Sequence, residues 1–328
     1  MSVEIKTAIL EPVRNTFAHI ERRFGDKPAT RYQEATYDVA SEVNFHYRPL
    51  WQPEFELNDP GRTKIVMKDW YAFKDPRQFY YGTYVQARAK QQEVAESNFS
   101  FFEKRDLTRF LSEDVKEKLV RLVIPFRHVE QAANLNNVYG SSFAYGTAIT
   151  QALLYNGMDR LGNAQYLSRI GLILDGNSGD TLTKAKHHWM EDAAWQGVRA
   201  YCEANICVDD WFESFVAQDV VLDTLVADLV YNQFDAWLQE NNAQDVGMLT
   251  EFIRNWHKDT NRWVDSVVKI AAAESAENKA KLEEWIHVWK NKATIALAPL
   301  AAEMVGDGAL ELAVATLTKR LNKAGLFK

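Results

Sequence analysis

Apolar residues recur along most of this chain at the i, i+3, i+4, i+7 spacing that gathers them on one face of a helix, and strand-like alternation is hardly represented. Leu282, Trp285, Ile286 and Trp289 are a clear case. Leu153, Leu154, Met158, Leu161, Tyr166 and Ile170 keep mostly the same spacing in a run from Ala144 to Leu174, which stops at the turn sequence Asp175-Gly176-Asn177-Ser178-Gly179. Beyond it the pattern predicts helices around residues 182–204, 209–239, 245–274, 276–303 and 308–322. Upstream, Asp75 as N-cap and Pro76 as first helical residue predict the start of a long helix through FYYGTYVQARAKQQEVAESNFSFFEKRDL. Ser112, followed by Glu113 and Asp114, predicts a second start, in a helix that runs toward Asn136 and is kinked or broken at Pro125. Long helices, short connections and no repeat of fixed period together predict an all-α bundle.

The first 74 residues read differently. Pro12, Pro28, Pro49, Pro53, Pro60 and Pro76, six of the eight prolines, lie in the first 76 residues, and proline fixes φ, removes a donor and interrupts helices. Yet Phe45, Tyr47, Trp51, Phe55, Trp70 and Tyr71 carry too much apolar surface for a solvated tail. Residues 1–74 are therefore expected to form an extended arm lying on a surface, either that of the chain's own helical body (75–328) or that of a partner subunit.

Composition narrows the classes. With 328 residues, 47% hydrophobic and 25% charged, the chain has material for a packed core, and its aromatic excess (10 Trp, 13 Tyr, 17 Phe) suits large buried surfaces or interfaces. A net charge of −7 argues against a nucleic-acid partner. No apolar run approaches the roughly 20 residues that span a bilayer, and the first residues, with Glu4 and Glu11, lack the pattern of a signal peptide. Cys202 and Cys207 fit neither a CxxC redox pair nor a structural zinc site, so a reduced cytoplasmic protein is expected.

Long helices bearing Glu-x-x-His aim two metal ligands into a bundle core, which makes that motif the first to test. Glu284-Trp285-Ile286-His287 is a literal match, but a single match arises easily by chance and reads ordinarily as helix surface. Two near-matches tell more: Glu130-Gln131-Ala132-Ala133 has Ala in place of His, and Asp259-Thr260-Asn261-Arg262 has Asp and Arg in place of Glu and His. An arginine offers no lone pair to a metal. If Asp259 or Glu213 turns inward beside Arg262, an ion pair fills the cavity that a metal pair would occupy in a catalytic relative.

A second candidate is Asp209-Asp210-Trp211-Phe212-Glu213, a DDxxE string of the type that holds magnesium in all-α isoprenoid synthases. It lacks a convincing second motif downstream and reads more simply as acids in the first turn of a helix. His187-His188 point about 100° apart on a helix and read as surface. Gly176 to Gly179 lacks the strand and lysine of a phosphate loop, no GxSxG elbow is present, and His128 and His257 carry no assignment alone.

Several long stretches resemble the β subunit of bacterial multicomponent phenol hydroxylases, members of the soluble di-iron monooxygenase family. They are FGDKPATRYQEATYD (Phe24 to Asp38), NFHYRPLW (Asn44 to Trp51), DPRQFYYGTYVQAR (Asp75 to Arg88), MDRLGNAQYLSRIGLILDG (Met158 to Gly176), AWQG (Ala194 to Gly197) and RWVD (Arg262 to Asp265). The resemblance runs almost from end to end. It implies a ferritin-like helical body without iron, in an (αβγ)2 assembly whose α subunit holds the di-iron centre. It implies that Glu130 to Ala133 and Asp259 to Arg262 fall where α carries its two Glu-x-x-His motifs, with Glu213 matching a further carboxylate. The implied reaction is NADH- and O2-dependent hydroxylation of phenol and methylphenols to catechols, with FAD and 2Fe-2S in a separate reductase and a small regulatory protein coupling the components. No catalytic, cofactor-binding or metal-ligating residue is then expected in this chain, whose role would be architectural.

Overall fold

The protein is seen in a computed structural model that describes residues 18–25, 27–40 and 48–327. Phe45, Tyr47 and Pro12 of the arm lie outside the described residues. Among those described there is no strand. Two short helices, α1 (Ala18–Phe24) and α2 (Arg31–Thr36), precede the body, followed by α3 (Tyr81–Lys104), α4 (Glu113–Lys118), α5 (Phe126–Phe143), α6 (Thr147–Leu174), α7 (Asp180–Glu191) and α8 (Ala193–Ile206). Then come α9 (Trp211–Phe215), α10 (Asp223–Asp228), α11 (Phe234–Glu240), α12 (Gln244–Glu274), α13 (Ala276–Met304) and α14 (Ala309–Lys323). The π-helical turns Val216–Leu222 and Leu229–Gln233 join α9, α10 and α11 into one rod.

Two predicted boundaries are corrected, and the break predicted at Pro125 is present. The helix expected from Asp75 begins at Tyr81, because Asp75 is buried and accepts hydrogen bonds from the Arg77 backbone N–H and guanidinium instead of capping a helix. The segment 182–204 is two helices, divided at Asp192, whose carboxylate accepts from Ala194 N and starts α8. At Pro125 the chain passes from a π-helical turn, Leu119–Val123, into α5, since proline has no N–H to continue the ladder. Ser112 caps α4 as predicted, accepting from Val115 N.

The arm's described part lies on the chain's own helical body. Ile65, Met67, Trp70 and Phe73 enter the main core. Its backbone is tied down by side chains from distant helices: Lys64 N–H donates to Asp210 (2.7 Å), Val66 N–H to Asn278 (3.0 Å) and Lys68 N–H to Glu274 (3.2 Å). Trp51 remains 69% exposed.

Helix α5 packs antiparallel on α6, and the rod from α9 to α11 runs behind them. Val216 to Val226 are all buried, as expected of a helix surrounded by others. Helices α8 and α13 approach so closely that a Cβ on Gly197 would lie 2.9 Å from Ala296 Cα. That neighbour is backbone and cannot rotate away. Gly197→Ala is expected to lower stability by about 1–3 kcal/mol, the usual cost of overpacking, read as a drop in the thermal unfolding midpoint; an unchanged midpoint would mean that the two helices separate freely.

Candidate functional site

At the centre of the bundle the polar side chains converge on Arg160, a residue of α6 that is 1% exposed. Its Nη1 donates to Glu130 Oε2 of α5 at 3.3 Å, and its Nη2 donates to Asp219 Oδ1 at 2.9 Å and to Asp223 Oδ2. Side-chain amides complete the shell. Asn137 and Asn156 donate to Asp219 Oδ1 at 3.2 and 2.8 Å, Asn163 donates to Glu130 Oε2 at 3.4 Å, and Gln218 donates to Asp223 Oδ1 at 2.9 Å.

Local structure explains why these groups meet. Asn156, Arg160 and Asn163 follow the i, i+4, i+7 spacing of one helix face, so α6 presents a polar stripe inward. Gln218 and Asp219 sit in the π-helical turn, whose extra residue per turn lets both share the inward side with Asp223. Trp256 of α12 closes the cluster: the Arg160 guanidinium lies 4.6 Å from its ring centroid, and its Nε1 donates to Asp159 at 2.7 Å. Asp159 faces the other way and also accepts from Tyr84 OH (2.9 Å) and from Arg88 Nε and Nη2 (2.8 and 2.7 Å). Two buried charge networks thus meet across one indole.

One guanidinium cannot balance three carboxylates, and protons make up the difference. Burial pushes the Glu130 carboxyl up to about 7, against the opposing pull of Arg160. Asp219 is raised as well, by burial first and by Asp223 beside it. Burial works against the charge on Arg160, but Asp223, Glu130 and Asp219 together hold its pKa above the ordinary value. His257, buried on α12 beside the cluster, is driven down to about 3 by burial and is neutral, with Nε2 unpartnered.

The sequence candidates fall into two groups. Glu130 points inward, and Ala133 is fully buried one turn on. Arg262 does not fill the interior: 63% of its side-chain surface is exposed, and it meets Asp259 in a solvent-facing pair at 3.7 Å. Glu213 accepts from Trp289 Nε1 at 2.9 Å and is not joined to Arg262. The expected interior ion pair therefore exists with another arginine, Arg160, and with Asp219 and Asp223 as partners. The signal for it lay in polar residues at helical spacing inside apolar runs: Asn156, Arg160 and Asn163 between Leu153 and Leu167, and Gln218, Asp219 and Asp223 within 216–230.

The magnesium reading of Asp209, Asp210 and Glu213 is corrected by where their carboxylates go. Asp210 caps α9, accepting from Phe212 N and Glu213 N, and with its second oxygen holds Lys64 N–H of the arm. Glu213 faces Trp289, and Asp209 is exposed with its carbonyl bound by Tyr139 OH. Glu284 pairs with Lys281 at 2.6 Å and His287 lies 3.2 Å from Asn291, both on the surface. His188 Nδ1 is 3.4 Å from Asp192, His187 is exposed, and His128 stacks on Trp189. Gly176 to Gly179 form a turn with φ +65 at Gly176, and Cys202 is buried while Cys207 is exposed.

A metal centre does not fit these residues. Among the described residues no group of three or more His, Cys, Asp and Glu is disposed to hold a metal ion, and the three buried acids that come together already share a permanent cation that repels any other. Among the described residues no helix is long and apolar enough to cross a membrane.

Glu130 gives the cluster a pH signature. A carboxyl raised on folding from its ordinary 4.5 to about 7 contributes stability that is complete below about 4.5 and lost as pH rises to about 7. His257, depressed from 6.5 to about 3, acts in the opposite sense, losing its contribution as pH falls through that range. Comparing wild type with Glu130→Gln cancels the histidine. The stability difference between the two is expected to fall by on the order of 3 kcal/mol from pH 4.5 to 7 and then level off, as read by denaturant unfolding; a flat difference would place Glu130 in water.

Residues 51–275 match the family model described as Methane/Phenol/Alkene Hydroxylase. The chain is 54% identical to the phenol 2-monooxygenase oxygenase component MhpL of Acinetobacter pittii (strain PHEA-2), with 99% of this chain and 98% of that protein covered. It is 49% identical to the oxygenase component DmpL of Pseudomonas sp. (strain CF600) over the same shares. The crystal structure of xenon-pressurized phenol hydroxylase from Pseudomonas sp. OX1 contains a chain that superposes with a TM-score of 0.92 at 50% identity, 98% of each chain being covered. A chain of toluene 4-monooxygenase shares the fold, with a TM-score of 0.78 at 20% identity over 90% of this chain and 98% of that one. An all-helical bundle of this shape, matched along nearly its whole length by phenol 2-monooxygenase oxygenase components, belongs to the methane/phenol/alkene hydroxylase family.

Proposed function

We propose that this chain is the non-catalytic β subunit of a phenol hydroxylase oxygenase component, a ferritin-like body that supports a separate di-iron α subunit. The observation that carries the reading is Arg160 at the bundle centre, bound to Glu130, Asp219 and Asp223, where a catalytic member would need metal ligands. On this reading no residue of the chain touches substrate, and its part in the NADH- and O2-dependent conversion of phenol or methylphenols to catechols is to hold α in its working shape. The remaining components are a γ subunit completing an (αβγ)2 assembly, a reductase carrying FAD and 2Fe-2S, and a small regulatory protein, all in the cytoplasm.

The exposed apolar side chains agree with life in an assembly. Leu135 and Val138 of α5 and Leu154, Met158 and Leu161 of α6 remain open to solvent on neighbouring helices. Trp51 and Leu50 add an uncovered apolar tip on the arm. The arm, residues 1–74, is the second element we assign to subunit contacts, with 75–328 as the helical body.

The test expresses the chain alone and with its α and γ partners, then compares iron content and phenol hydroxylation under one reductant supply. Iron and activity are expected only in the complex. Two irons in the lone chain would overturn the reading. Deletion of residues 1–60 is expected to impair assembly more than charge reversal at exposed positions of the body, and normal assembly and turnover without the arm would remove it from the interface.

A further inference from the structure

Helices α1 and α2 are braced to one another by charge and to the body beneath them mostly by neutral groups. Asp38, just past α2, is held by two arginines of α1, Arg22 at 3.2 Å and Arg23 at 2.5 and 2.9 Å. The Phe24 ring meets Tyr37 edge-on at 5.5 Å, and Thr30 and Gln33 close a capping box at the start of α2. The joint with the body is of another kind. Its apolar part is small: Tyr32, Tyr37, Tyr71 and Ala148, with Phe24 and Tyr80 at the edge, form a cluster apart from the main core. Its polar part consists of single hydrogen bonds. Gln151 Nε2 donates to Ala35 O at 2.7 Å and Thr147 Oγ1 to Thr36 O, so side chains of α6 serve carbonyls left open at the end of α2. Tyr71 OH accepts from Asp38 N–H, and Tyr32 OH from Asp75 N–H, both at 2.9 Å. The ion pair that crosses the joint, Arg23 to Asp69, is 3.7 Å wide with Asp69 largely in water. A second observation concerns what the joint leaves unsatisfied. Thr36 Oγ1 and Gln151 Oε1 are buried without a hydrogen-bond partner, and an unpaired buried oxygen works against the state that buries it.

We propose that α1 and α2, together with Asp38, form a clasp that opens from the body as one unit while the helices beneath it stay folded. Units that open on their own are those held by few buried apolar contacts. The rest of the arm sets the boundary. Ile65, Met67, Trp70 and Phe73 belong to the main core, so releasing that stretch would cost much of the packing, whereas releasing the clasp uncovers Tyr71, Ala148 and the ends of Thr147 and Gln151. The Arg160 cluster lies further along α6 and keeps all its partners. Opening therefore exposes the N-terminal end of α6 without loosening the bundle. The inference concerns how this chain holds its own N-terminal helices and does not rest on the subunit role proposed above, which is read from iron and turnover in the complex.

The test is hydrogen exchange followed by mass spectrometry on the full-length chain, as wild type, Tyr71→Phe and Thr36→Val. The amides of α1 and α2 are expected to exchange together, on the order of a hundredfold faster than those of α6 and α12. Tyr71→Phe keeps the ring but removes the hydroxyl that Asp38 N–H and Thr147 use. It is expected to speed exchange in α1 and α2 about fivefold and to leave α12 and α6 beyond its first turn unchanged. Thr36→Val replaces the unpaired hydroxyl by a methyl and is expected to slow the same amides. Protection of α1 and α2 equal to that of α6 overturns the proposal. So does acceleration by Tyr71→Phe that spreads equally into α6 and α12, and so does acceleration by Thr36→Val.

Discussion

A positive charge taken out of water must find its partners inside the protein, and Arg160 finds them on three different segments. Glu130 comes from α5, Asp219 from the π-helical turn and Asp223 from the start of α10, while the Trp256 ring of α12 covers the guanidinium. Each helix is held at the distance its own hydrogen bond requires, and moving any of them strands a charge in a medium that cannot solvate it. The apolar packing around the cluster has more freedom than this. Leucine and valine contacts tolerate small displacements, whereas a hydrogen bond of 2.9 Å from a buried guanidinium does not.

Arg160 and its neighbour Asp159 also show how one helix organises two sides of the bundle. Adjacent residues on α6 point about 100° apart, so Arg160 serves α5 and the rod while Asp159 collects Tyr84, Arg88 and Trp256 from α3 and α12. Trp256 is the common element, offering its face to the cation and its N–H to the anion. An apolar filling of the same space would seal the centre but would leave α3 and α12 without that fixed relation to α5.

Much of this was legible in the chain. The helical period located the long helices, Ser112 announced a cap, and Glu130 of the near-match at 130–133 is buried in the central polar cluster. Misreadings have physical causes. Asp75-Pro76 carries the chemistry of a helix start, but burial beside Arg77 and Tyr32 outweighs the modest gain from a cap. The interior ion pair anticipated if Asp259 or Glu213 turned inward beside Arg262 is formed instead by an arginine of α6, a helix that holds none of the near-matches. Local motifs describe neighbours three or four residues apart, whereas Arg160 meets Asp223 across 63 positions of sequence. Only a polar stripe inside an apolar run carries that information in one dimension.

The anchoring of the arm bears on how the chain is made. Lys64, Val66 and Lys68 are held by Asp210, Asn278 and Glu274, at separations of 146, 212 and 206 residues. The N-terminal segment leaves the ribosome first, but two of these three partners are among the last fifth or so of the chain to be synthesised. Ile65, Met67, Trp70 and Phe73 therefore spend most of translation without the surface that shelters them. Docking of the arm is a long-range closure whose entropic cost is met only when these distant segments come together.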